Sequence, residues 1–204
     1  MPLEPSDASL DDESLAALLG SRLCHDLISP LGAIGNGVEL LALSGQQLGP
    51  EMELIAQSVE AANARVKFFR VAFGQAGQEQ RLGQAEISGL LDGMFAQGRI
   101  AVDWQISGDL PRAEVKLAFL AILCLETLLP FGGVLRIASG SKGWVLSAQG
   151  EKSRPQAAPW KALNGGLHDI TPAQVQFALL PREMARLGRS LSWEIGEAGG
   201  TIRL

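Results

Sequence analysis

Between residues 15 and 43 apolar side chains return every three or four positions: Leu15, Leu19, Leu23, Leu27, then Leu31 or Pro30, Ile34, Val38 and Leu41. That spacing predicts one long amphipathic helix. Asp11, Asp12, Glu13 and Ser14 stand at its start, with acids suited to the positive end of a helix dipole. Such a helix is roughly 40–45 Å long. Residues 44–50, Ser-Gly-Gln-Gln-Leu-Gly-Pro, read as a turn. A second helix follows over residues 51–73, with Met52, Ile55, Val59, Ala62, Val66 and Phe69 on one stripe. Two long helices joined by a short turn make an antiparallel hairpin. One hairpin cannot enclose a core, so a second copy is expected to complete a four-helix bundle, which makes the protein a homodimer.

The pattern then changes. Residues 75–83 are rich in Gln and Gly and read as a linker. Beyond it the pattern predicts a helix near 85–97, a strand near 100–106 and a helix near 112–129. Strands near 134–139 and 144–149 follow, joined by Gly140-Ser141-Lys142-Gly143. A helix near 172–187 and terminal strands at 190–195 and 200–204 complete the chain. The fold class is α+β, with a helical hairpin over residues 1–76 and an α/β sandwich over residues 84–204.

Within the first helix, His25 stands apart from the apolar stripe. Three or four residues either way lie Arg22, Ser21 and Ser29, then Gly32, Ala33 and Asn36. This face is polar or small, so another protein's backbone can approach closely. Pro30 removes the helix hydrogen bond to the carbonyl of Asp26 and is expected to bend the helix beside the histidine. With the turn centred near residue 47, His25 sits level with about residue 69. Phe69, Arg70 and Phe73 are then its expected cross-hairpin neighbours.

The chemistry of this face follows from the imidazole. With an unperturbed pKa of about 6.5, a neutral imidazole is a good nucleophile near neutral pH. One ring nitrogen keeps its proton while the other attacks. Asp26 is placed to accept that N–H, fixing the tautomer and stabilising the developing cation. Attack on phosphorus also needs charge neutralisation, to which Arg22 and Arg70 can contribute. A His-Asp pair by itself is an ordinary solvated helix face. The whole run His25-Asp26-Leu27-Ile28-Ser29-Pro30-Leu31, opening a helical hairpin, is what singles this one out.

That run resembles the H-box, the phospho-accepting motif on the dimerisation helices of sensor histidine kinases. The longer stretch from Leu23 to Leu41 is similar to the ChpT-type histidine phosphotransferases of alphaproteobacteria, as is Phe68-Phe69-Arg70-Val71-Ala72-Phe73-Gly74. The order of elements in the second half, with Gly132-Gly133 and Gly199-Gly200 leading into strands, resembles a histidine kinase ATP-binding domain, an antiparallel sheet backed by helices on one face. The residues that hold ATP in that family are missing. Its asparagine positions fall on Leu120 and Cys124, which cannot hold Mg²⁺, an ion that wants oxygen ligands. The Asp-x-Gly-x-Gly motif would fall near Gln149, Gly150 and Glu151 and is absent. Asn164-Gly165-Gly166 reads as a turn rather than a phosphate loop, and Glu126 as a solvated helix residue.

The resemblance therefore implies a phosphotransferase without a nucleotide site of its own. His25 is its phosphorylated nucleophile and Asp26 orients the ring. Arg22, Ser29, Gly32, Ala33, Asn36, Phe69, Arg70 and Phe73 form the partner-binding surface. The implied partners are the receiver domain of a hybrid histidine kinase as donor and receiver domains of cell-cycle response regulators as acceptors. No cofactor is expected on this chain, and the Mg²⁺ of the reaction would come with the receiver. The rival readings are an ATP-using histidine kinase and an adaptor that binds receivers and transfers nothing.

Composition narrows the setting. The 204 residues suit one or two domains with a substantial core. A net charge of −5 with no basic run favours neither nucleic acid nor an anionic membrane. No apolar run is expected to reach the length of a membrane span. The acidic residues 1–12 do not resemble a signal peptide, and a cytoplasmic location is expected. Cys24 and Cys124 make no disulfide framework, and no Cys/His spacing suits zinc. Cys24 is expected to pack into the bundle and His168 to sit in a polar loop. Trp104, Trp144, Trp160 and Trp193 read as packing residues.

Overall fold

A computed structural model describes residues 12–44, 49–77, 79–141, 143–153, 157–164 and 170–204. Helix α1 (Asp12–Leu43) runs without interruption through Pro30. Helix α2 (Pro50–Ala72) carries Pro50 in its first turn, where no N–H is needed, and Glu51 and Glu53 at the positive end of its dipole. The two pack as a hairpin. Gly45–Leu48 of the expected turn, Asn164's neighbours Gly165 and Gly166, and His168 lie outside the described residues.

The second layer begins with β1 (Arg81–Leu82), α3 (Gln84–Phe95), β2 (Ile100–Trp104), β3 (Leu110–Pro111) and α4 (Arg112–Glu126). Then come β4 (Gly133–Gly140), β5 (Gly143–Gln149), α5 (Ala157–Ala162), a 3₁₀ turn (Pro172–Gln174), α6 (Val175–Arg186), β6 (Ser192–Gly196) and β7 (Gly199–Arg203). Five strands form one sheet in the order β2-β4-β5-β7-β6, and β1 pairs with β3 in a separate two-stranded ladder. The sheet is mixed rather than antiparallel: β2 and β4 run parallel, with Ile100 opposite Gly133. The physical reason is the crossover through α4, which returns the chain in the same direction. At the re-entry point Gly132 has φ +98°, and a Cβ there would lie 2.4 Å from the Arg99 carbonyl oxygen.

Helix α4 is the centre of the molecule. Its residues are buried from Val115 through Leu125, against the sheet on one side and against α2 and α6 on the others. The sheet contributes Leu135, Ile137, Leu146, Ala148 and Ile202 to this core. The end of α2 enters the same core. The Phe68 ring stacks on Phe119 at 4.3 Å and meets Phe95 edge-on at 6.4 Å, geometries that aromatic pairs favour. Arg112 adds a polar tie, donating through Nη2 to the Arg70 carbonyl at 2.8 Å and so satisfying a carbonyl in the last turn of α2. The tryptophans are packing residues as expected, with Trp104 edge-on to Trp144 at 5.7 Å and Trp160 edge-on to Phe177 at 5.3 Å.

Within one chain the hairpin leaves much of the apolar stripe of α1 uncovered. The face of α1 turned towards α2 is the small one, carrying Gly20, Cys24, Gly35 and Val38, with Cys24 and Val38 both 8 % exposed. The leucine stripe that the periodicity marks as core faces outwards, with Leu23 63 % and Leu27 50 % exposed. Residues Ala16–Leu43 also prove long and apolar enough, by length and composition, to cross a membrane, which corrects the sequence expectation. An exposed leucine stripe and a membrane span share that composition.

One charged pair lies deep in the second layer. Lys116 Nζ of α4 donates to Glu183 Oε1 of α6, with both side chains almost wholly buried, and Arg186 pairs with the other Glu183 oxygen at 2.9 Å. Removing one partner of such a pair strands a buried charge. Lys116→Met is therefore expected to lower unfolding free energy by about 3–5 kcal/mol. Adding Glu183→Leu restores most of the loss, because the exposed Arg186 head can hydrate. Urea denaturation of the three proteins checks this.

Candidate functional site

The elements above place His25 at a defined height on α1. Gly35 lies beside Val59, and Gly20 beside Phe73, where a Cβ would come within 3.0 Å of the Phe73 carbonyl oxygen. These contacts put the hairpin's midpoint near residue 47 and His25 level with residue 69, as the sequence predicts. Ser21 secures the register by accepting a hydrogen bond from the Gln75 backbone N–H at 3.0 Å. Gly74 is required beside it, since a Cβ there would meet the Arg70 carbonyl oxygen at 2.2 Å and the Ser21 hydroxyl at 3.1 Å.

The His25 side chain points outwards and is 82 % exposed. Its Nδ1 lies 3.1 Å from Asp26 Oδ1. The second oxygen, Oδ2, accepts a hydrogen bond from Arg22 Nε at 2.7 Å. The bond from His25 first, and that from Arg22 after it, hold the Asp26 carboxyl below the usual aspartate range. A carboxylate can only accept, so this contact favours a His25 ring with its proton on Nδ1.

The rest of the face is open. Ser29, Ala33 and Asn36 are exposed and Gly32 is half-buried, with nothing within 4 Å of the place a Gly32 Cβ would occupy. Arg70 is exposed at the same level. Phe69 and Phe73 are less open. They are partly buried, pack against the core and contact one another at 5.5 Å, because the end of α2 is held in the second layer. The structure brings Arg22, His25 and Asp26 together, and places Gly32 and Asn36 at the rim of a cleft of about 1320 Å³ between the hairpin and the second layer.

Glu126 lines that cleft and is not the solvated residue read from sequence. Burial pushes its carboxyl up, with Arg65 opposing. Leu120 and Cys124 are fully buried core residues. Among the described residues no group of three or more His, Cys, Asp or Glu side chains is placed to hold a metal. The interdomain ties through Ser21, Gly74 and Arg112 escape sequence reading, because hydroxyl-to-backbone and guanidinium-to-carbonyl bonds leave no periodic signal.

The low-lying Asp26 carboxyl carries a sign that can be tested. Its ionised form is favoured by the fold, so the His25–Asp26 contact persists as pH falls and is lost only below the depressed pKa. A ¹³C titration of the Asp26 carboxyl is expected to show a midpoint below that of an unstructured aspartate. His25→Ala is expected to move it upwards more than Arg22→Gln does, since the His25 bond is the larger cause.

Comparison with known proteins agrees with this geometry. The family described as histidine phosphotransferase C-terminal domain matches residues 84–199, more than half of the chain. Protein phosphotransferase ChpT of Brucella abortus (strain 2308) is 38 % identical over 125 residues, which span 60 % of this chain and 59 % of that protein. A solved bacterial phosphotransferase structure superposes over 96 % of this chain and 97 % of its own, with a TM-score of 0.66 and 26 % identity. With its outward histidine on a helical hairpin and a second layer that the family pattern covers almost end to end, the chain belongs to the histidine phosphotransferases.

Proposed function

We propose that this chain relays phosphoryl groups between receiver domains through phosphohistidine at His25. The single observation that carries the reading is the outward imidazole whose Nδ1 is held by Asp26, on a face of small and polar residues. The lone pair of Nε2 forms the N–P bond as the O–P bond to a receiver's aspartate breaks. The receiver's aspartate leaves as a carboxylate, and Nδ1 keeps its proton. The ring then carries positive charge, which the Asp26 carboxylate offsets at 3.1 Å. The reverse step delivers the phosphoryl group to the aspartate of a second receiver. The donor is the receiver of a hybrid histidine kinase and the acceptors are response regulators, including those of the cell cycle. The Mg²⁺ that balances phosphoryl charge belongs to the receiver.

Two further features belong to the same reading. The second layer serves as a scaffold derived from a kinase nucleotide domain rather than as an ATP site, a view supported by the apolar, buried Leu120 and Cys124. The outward leucines of α1, with Leu54 and Ile55 of α2, meet a second copy in a four-helix bundle. Arg22, His25, Asp26 and Glu39 interrupt the same helix and would be costly in hydrocarbon, which favours a protein partner over a lipid one and a cytoplasmic setting.

Incubation with a phosphorylated receiver is expected to transfer acid-labile label to the wild-type chain and none to His25→Ala. Equal label on both, or none on the wild type, contradicts the relay. Labelled ATP alone is expected to give no phosphoprotein. Leu23→Asp with Leu27→Asp is expected to yield a monomer by light scattering, while the wild type measures as a dimer.

A further inference from the structure

Adjacent residues on a helix project about 100° apart, so a contact between His25 and Asp26 is not automatic. The Asp26 side chain is 48 % exposed and has water as an alternative partner for both oxygens. What holds it is the second anchor. Arg22 lies one turn before Asp26 on the same face and donates Nε to Oδ2 at 2.7 Å, leaving Oδ1 turned towards His25 Nδ1. Arginine preceding the acid is the less favourable order for stabilising an isolated helix, so the pair contributes little to α1 itself.

We propose that Arg22 is a positioning residue: it acts through Asp26 to keep the proton of His25 on Nδ1, and does not itself neutralise the incoming phosphoryl group. This deepens the relay reading and rests on it for its kinetic consequence. The guanidinium fixes a carboxylate, the carboxylate fixes a tautomer, and the tautomer leaves the Nε2 lone pair free. In free imidazole side chains the proton favours Nε2, so loosening Asp26 places the proton on the nitrogen that must attack. Arginine suits this task because its guanidinium stays charged and directs Nε–H along a fixed line.

A double-mutant cycle separates this role from direct contact with phosphate. Single-turnover transfer from a phosphorylated receiver is measured for wild type, Arg22→Gln, Asp26→Asn and the double variant, with receiver affinity measured alongside. Arg22→Gln is expected to slow transfer roughly two- to fivefold, the range of an exposed ion pair, at receiver concentrations that saturate binding. In the Asp26→Asn background the same change is expected to have no further effect. Ring ¹⁵N shifts of His25, read without any receiver, are expected to move from the Nδ1–H towards the Nε2–H tautomer in Arg22→Gln. Multiplying rate effects, a loss of receiver affinity at constant rate, or unchanged ring shifts would overturn the proposal. A wild-type protein that takes no label would instead defeat the relay reading, and the receiver-free ring shifts would still decide the role of Arg22.

Discussion

The anchoring of α2 in the second layer is the constraint from which the site follows. Phe68 stacks on Phe119, and Arg112 ties the Arg70 carbonyl to the start of α4. These contacts fix the last turn of α2, and Phe73 and Gly74 there fix α1 through Gly20 and Ser21. The height of His25 is thus set by a chain of contacts that begins in the core of the other layer. Because α1 meets α2 through small residues, its leucine face and its histidine face both stay outside. One is apolar; the other is small and polar.

The histidine face is economical in its chemistry. Three side chains within two turns of one helix, Arg22, His25 and Asp26, are joined by two short contacts. Asp26 gives one oxygen to Arg22 and the other to His25. The imidazole itself is left uncovered, as a group must be if its phosphoryl donor and acceptor are both macromolecules. A buried histidine with the same partners would be better held and unreachable.

Much of this was legible in the sequence because periodicity reports long helices well. The hairpin, its midpoint near residue 47, His25 on a small polar face and the buried Cys24 all follow from the spacing of residues along α1 and α2. The side of α1 that packs on α2 did not follow, because periodicity marks an apolar stripe without naming its partner. The hairpin is closed by Gly20, Cys24, Gly35 and Val38, while most of the leucine stripe stays uncovered in the single chain. The pairing of Arg81–Leu82 with Leu110–Pro111 lies below the length at which alternation is visible, so the sequence pattern there is that of a linker. Helix α5 is likewise short, with Pro159 inside it, and left no pattern. The parallel pairing of β2 with β4 depends on the crossover through α4 rather than on any local composition.

Because Asp26 faces Nδ1 of His25 at 3.1 Å, the phosphoryl group is expected on Nε2. The direct measurement is ³¹P and ¹⁵N NMR of the phosphorylated, ring-labelled protein. Coupling of the phosphorus to Nε2 of His25, with the proton retained on Nδ1, is the predicted result. Phosphorus on Nδ1, the nitrogen facing Asp26, would contradict it.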